Sequence, residues 1–123
     1  MNREIKFRAW DEVSEKMLNW NDFLDTNMKN TFIAPESTGL ILMQYTGLHD
    51  KNGKEIYEGD IVKYRDSRGQ HIEKVIFDKG CFYAGMHWGS STRVAPKLIN
   101  TRITEVIGNI YDNPELLGGE DER

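Results

Sequence analysis

Several things this sequence has little of narrow its class before any motif is read. There is one cysteine, Cys81, in 123 residues. No intramolecular disulfide can form, which excludes a disulfide-stapled secreted scaffold. A lone Cys of this kind is expected as a small buried strand residue. Long hydrophobic runs are absent: the longest, Leu40-Ile41-Leu42-Met43, is far short of the roughly 20 residues a membrane helix needs. The opening residues, Met1-Asn2-Arg3-Glu4-Ile5-Lys6, contain no apolar leader, so a cytoplasmic protein without membrane attachment is expected. Positive charge is not in excess either. The net charge is −4 and the pI about 5.4, so the global signature of a nucleic-acid binder is missing. Part of the acid sits in Glu120-Asp121-Glu122; without it the remainder stands near −1, which leaves room for a local basic patch.

Catalytic signatures are also missing. There is no Gly-x-Ser-x-Gly elbow, no phosphate-binding glycine loop and no dinucleotide fingerprint. His49, His71 and His87 have no spacing that would place two on one strand or helix face, and no second cysteine accompanies them. A closed zinc site is therefore not expected, and neither a metal nor a cofactor is assigned. His49 reads as a turn residue, His71 as a solvent-facing strand residue. Asp50, Glu55, Glu58 and Asp60 do not follow the EF-hand pattern; they read as turn and strand architecture, with an acidic surface or a hard-cation site as the functional alternative.

What is present is a rhythm of short strands and tight turns. Ile5, Phe7 and Ala9 alternate with Lys6, Arg8 and Trp10, a period of two that predicts a half-buried strand. A turn at residues 11–15 and a return strand from Lys16 to Trp20 complete a hairpin. Residues 21–39 are the least legible: Asn21 or Asp22 can cap a short helix through Leu24, and Pro35 to Gly39 form a loop. A strand buried on both faces follows from Leu40 to Tyr45. Asn52-Gly53 is a strong turn signal because both residue types accept positive φ. Further turns at Glu58-Gly59-Asp60, Ser67-Arg68-Gly69 and Asp78-Lys79-Gly80 separate strands Ile61–Arg65, Gln70–Phe77 and Cys81–Met86. In the last of these, Phe82, Ala84 and Met86 share one face and Tyr83 takes the other. A final strand spans Ile103–Tyr111, and Glu115-Leu116-Leu117 make one helical turn. The fold expected is mainly β: a small SH3-like, partly open antiparallel barrel with a flanking N-terminal hairpin and little helix. It forms one domain over residues 1–117, followed by a disordered acidic tail over 118–123.

Three blocks carry a family resemblance: Arg3-Glu4-Ile5-Lys6-Phe7-Arg8-Ala9-Trp10-Asp11 with Met17; Met43 through Val62; and Glu105 through Leu117. Together they resemble the YopX family, small proteins encoded by phages and prophages of Gram-positive bacteria. The resemblance implies a mainly β fold, an accessory role inside an infected host bacterium, and no assigned activity. Three functional readings follow. The first is a non-enzymatic module that binds a host or phage protein through an unpaired barrel edge or the loop around Trp88; the same edge allows a homo-oligomer. The second is a single-stranded nucleic-acid binder using Tyr64, Arg65, Arg68, Trp88 and Arg93, since small barrels combine stacking with charge. The third, with least support, is a small hydrolase or nuclease; Glu58-Gly59-Asp60-Ile61-Val62 entering a barrel resembles small toxin ribonucleases at the level of fold alone. The bland reading of Trp88 is a cap on the open barrel end, and Trp10 and Trp20 lean further toward packing.

Overall fold

A computed structural model of the chain describes residues 4–85 and 97–118. The chain forms two antiparallel sheets with few helices, and one sheet curls into a half-barrel. The first sheet runs in the order β2-β1-β3-β4: β1 (Phe7–Asp11), β2 (Lys16–Leu18), β3 (Leu40–His49) and β4 (Glu55–Tyr57). The second runs β8-β7-β6-β5-β9: β5 (Asp60–Asp66), β6 (Gly69–Asp78), β7 (Cys81–Ala84), β8 (Lys97–Leu98) and β9 (Glu105–Asn109).

The turns punctuate the second sheet as the sequence predicts. Lys79 and Gly80 take φ of 50° and 83°, the positive pair that matches strand twist in a two-residue hairpin. The β3–β4 connection is built differently. Gly53 is at φ 86° but Asn52 is not in the positive region. The loop is organised by the Asp50 carboxylate, whose Oδ1 accepts the amides of Asn52 at 2.8 Å and Lys54 at 2.9 Å. The loop therefore spans 50–54 rather than two residues, and it leaves room for the short strand β4, which the sequence reading did not anticipate. The β3 strand is longer than expected and only alternately buried.

Between β2 and β3 the chain forms α1 (Trp20–Leu24), α2 (Met28–Ile33) and a 3-10 turn at Pro35–Ser37. The cap of α1 is Asn19, whose side chain accepts the Asp22 amide at 2.8 Å, so the expected caps at Asn21 and Asp22 lie inside the helix. Trp20 consequently leaves the hairpin strand and joins the helix. Asn27 caps α2 in the same way at 3.2 Å. Helices this short hold only by packing. Phe23 is fully buried against Ala9 and Leu40, with Phe7, Trp20 and Met28 around them.

A second core joins the two sheets: Ile56 of β4 packs with Val62, Val75, Ala84 and Val106 of the half-barrel. Each fully buried Ile or Val here contributes about 2 kcal/mol. The chain closes with a 3-10 turn at Pro114–Leu117 that ends on Gly118 in the left-handed region, φ 88°. Gly118 is thus ordered, where the sequence placed the start of a disordered tail; the rest of that tail lies outside the described residues. So does Met86, the expected end of β7. Cys81 is a strand residue as expected, but it is exposed rather than buried. It shares the outer face with Tyr83, while Ala84 takes the core position.

Gly59 is the tightest point between the sheets. Its φ is 88°, and a Cβ there would lie 2.8 Å from the Met43 sulfur. Gly59→Ala is expected to lower stability by about 2 kcal/mol, read as a lower urea midpoint with an unchanged m-value. An unchanged midpoint would show that the bend relaxes at no cost.

Candidate functional site

Two surfaces on this scaffold combine concavity with unsatisfied chemistry, and a polar seam separates them from the core.

The seam consists of the carboxylates that the sequence offered as a possible cation site. They do not converge. Arg8 of β1 pairs with Asp60 of β5 at 2.9 Å, with both side chains nearly buried. Asp60 also accepts the Tyr57 amide at 2.8 Å, and the guanidinium lies 4.9 Å from the centre of the Tyr57 ring. Burial pushes the Asp60 carboxyl above the ordinary range, with Arg8 opposing. Glu55 holds Lys6 and raises its pKa; burial of the Tyr57 hydroxyl pushes it up to about 12. The Glu58 carboxylate accepts the Gln44 amide at 3.2 Å. Asp50 bonds across the sheets, its Oδ2 accepting the buried Val106 amide at 2.8 Å. Among the described residues no three His, Cys, Asp or Glu side chains gather as a metal site.

The first surface is a groove of about 530 Å³ between β3 and β6, lined by Ile41, Leu42, Phe77, Asp78 and Tyr111 among others. Tyr111 is held at its end by stacking on Trp10, with ring centres 5.2 Å apart. Backbone polarity decides what the groove presents. The amide of Tyr45 points at β1, bonding Lys6, and polarity alternates along a strand. The amide and carbonyl of Leu42 therefore point away from β1, into the groove, where β4 does not reach. On the other wall the Val75 carbonyl bonds Gly59, so Phe77 points its backbone the same way. The β5 register stops at Ile61↔Lys74, and no strand pairs with Phe77 on that side. The groove thus lies between two unpaired edges. Its wall also carries Asp78, whose Oδ2 is buried with no hydrogen-bond partner, and Phe77, whose side chain is half exposed.

The second surface lies around the outer end of β5. A depression of about 410 Å³ is lined by Lys51, Lys63, Tyr64, Arg65 and Arg102, with Glu105 at its side. A narrower slot of about 220 Å³ meets it at Tyr64 and Ile103 and is lined further by Leu98, Ile99 and Asn100. Of the residues singled out from sequence, Tyr64 and Arg65 come together here. The Tyr64 ring stacks on His71, centres 4.9 Å apart. Arg68 sits at the hairpin tip, 4.0 Å from Asp66, and does not line the depression. Trp88 and Arg93 lie outside the described residues. His71 is not a free surface histidine but half-buried, 2.9 Å from Asp66; His49 ends β3 rather than occupying a turn. Sequence reading missed Lys51 and Arg102, because they come from separate segments that only the fold brings beside Lys63, Tyr64 and Arg65.

The described residues therefore form a small two-sheet β protein whose open features are an unpaired-edge groove and a cationic depression. The chain matches the family model described as YopX protein over residues 6–118, and it belongs to the YopX family. Its fold is similar to the crystal structure of protein EF1440 from Enterococcus faecalis, with a TM-score of 0.62 and 27% identity over 94% of this chain and 99% of that one. No curated protein matches it.

The Asp50 clamp yields a pH test. Burial pushes its carboxyl up, but the amides of Val106, Lys54 and Asn52 outweigh this and hold it below the ordinary range. A depressed carboxylate adds stability that is present above the unfolded pKa, near 4, and lost as pH falls through the lower folded value. Asp50→Asn turns one oxygen into a donor, and Asn52, Lys54 and Val106 then share one acceptor. It is expected to cost about 2 kcal/mol near pH 7 and clearly less near pH 3, compared by urea midpoints. An equal loss at both values would show that the charge is not what Asp50 contributes.

Proposed function

We propose that this YopX-family protein is a non-enzymatic interaction module, an accessory protein of a phage or prophage, that takes a short extended segment of a partner protein into the groove between β3 and β6. The observation that carries this reading is the pair of unpaired strand edges facing the groove at Leu42 and Phe77. An extended peptide satisfies both at once, adding a strand that bridges the two sheets. Its alternate side chains meet Ile41, Phe77 and Tyr111 on the groove walls. Left empty, such edges invite pairing. The accessory role and the phage setting rest on the family; the extended-segment partner rests on the groove.

The test is selection of binders from a random extended-peptide library, followed by amide exchange. The expected binders alternate apolar and polar residues and slow exchange at Leu42 and Phe77. Leu42→Pro removes the amide facing the groove but no β1 ladder bond, as Leu42 faces Ala9 in a non-bonded pair. The change also removes a side chain packed against the Ala9, Phe23 and Leu40 core, so Leu42→Ala, which keeps the amide, is the control: the proline variant is expected to bind at least tenfold more weakly than the alanine variant. Binders that protect neither amide, or that bind the proline and alanine variants equally, would overturn the reading.

A further inference from the structure

The depression at the outer end of β5 is independent of the groove and asks for a different ligand. The molecule carries a net charge of −4, yet Lys51, Lys63, Arg65 and Arg102 converge on one concavity. Lys63 alone among them has an acidic partner, Glu105 at 3.9 Å, in a partly exposed pair. Lys51, Arg65 and Arg102 pair with no carboxylate among the described residues. All three are exposed, so the charge is available rather than spent on the fold.

Backbone adds to this. In the β5–β6 ladder Tyr64 pairs with His71, and β9 begins opposite Lys63. Because Val75 directs its carbonyl to the β5 side, so by alternation does His71. Tyr64 therefore faces β6, while Arg65 turns its amide toward the side that β9 does not cover. The depression holds a free backbone donor beside its cations.

The adjoining slot supplies the second half of a ligand. It meets the cationic depression at Tyr64 and Ile103. Its walls combine Ala84, Leu98 and Ile99 with Asn100; Thr104 beneath them is buried, and the Asp66 carboxylate is engaged by Arg68 and His71. A surface that is cationic on one side and a narrow, largely apolar slot beside Asn100 on the other matches one repeating chemistry: a phosphate joined to an unpaired base.

We propose that this face binds single-stranded nucleic acid, with backbone phosphates on Lys51, Arg65 and Arg102 and a base entering the slot beside Tyr64 and Ile103. A duplex keeps its bases stacked inside and does not fill the slot. An acidic molecule gains no long-range attraction, so binding is local and steeply salt-dependent.

The test is fluorescence anisotropy with labelled oligo(dT) and oligo(U), a duplex of equal length, and an abasic strand of equal length, over a range of salt. The single strands are expected to bind at low salt and the duplex and abasic strand at least tenfold more weakly. The double variant Arg65→Gln, Arg102→Gln is expected to lower single-strand affinity at least tenfold and to reduce the log–log salt slope by about 1.4, the share of two phosphate contacts. Both positions are exposed, and an unchanged melting temperature confirms that the fold is intact. No binding by either single strand, equal binding of the abasic strand or duplex, or an unaffected double variant would each overturn the assignment. The peptide-groove variant Leu42→Pro is expected to leave oligonucleotide binding unchanged, so the two surfaces fail or succeed separately.

Discussion

The ion pair between Arg8 and Asp60 is the constraint on which the rest of the structure depends. It joins β1 of one sheet to β5 of the other at 2.9 Å, almost out of water. A buried pair of this kind is not a large net source of stability, because desolvation offsets most of the attraction. Its effect is to make one arrangement of the sheets far better than its neighbours. Any slip that separates the two leaves an unpaired buried charge. Tyr57 completes the arrangement, its amide on Asp60 and its ring under Arg8. The Gly59 bend brings the chain between them. One Arg8 nitrogen, Nε, remains buried without a partner, so the seam is held by position rather than by full satisfaction of every donor.

Both concave surfaces follow from where this seam lies. It fixes the sheets together at Gln44 to Asp60 and leaves them apart on either side. Toward the start of β3 and the end of β6 the separation is the groove with its bare edges. Toward the end of β5 the half-barrel remains open, and the segments entering β9 bring Arg102 and Ile103 beside Tyr64. Asp50 ties that region back through Val106.

Much of this was legible in the residues. Asp78-Lys79-Gly80 and Ser67-Arg68-Gly69 placed β5, β6 and the start of β7 to within a residue or two, because turn chemistry is local. The three family blocks led to the YopX family that the match over residues 6–118 establishes. The β4 strand was not legible: Glu55-Ile56-Tyr57 is too short to show a period, and it exists only because Asp50 shapes the loop before it. The two short helices lack a long enough 3.6-residue pattern, and their caps, Asn19 and Asn27, are ordinary polar residues until the packing of Phe23 selects them. Cys81 was misread by composition although the alternation of Phe82, Tyr83 and Ala84 already placed it outward. Of the candidate binding residues, Tyr64 and Arg65 were adjacent in sequence and so visible. Lys51 and Arg102 join them only through the fold.

The bond between Asp50 and Val106 spans 56 residues, and that separation has a kinetic meaning. The hairpins of β5, β6 and β7 are closed by two-residue turns and can form on a scale of about microseconds. Pairing of β9 must first close a far longer loop, at an entropic cost that grows with its length. The closure of β9 onto β5, with the carboxylate clamp behind it, therefore carries the larger entropic cost and is expected to follow the hairpins. Contacts made after the transition state govern the rate of escape from the native state more than the rate of entry.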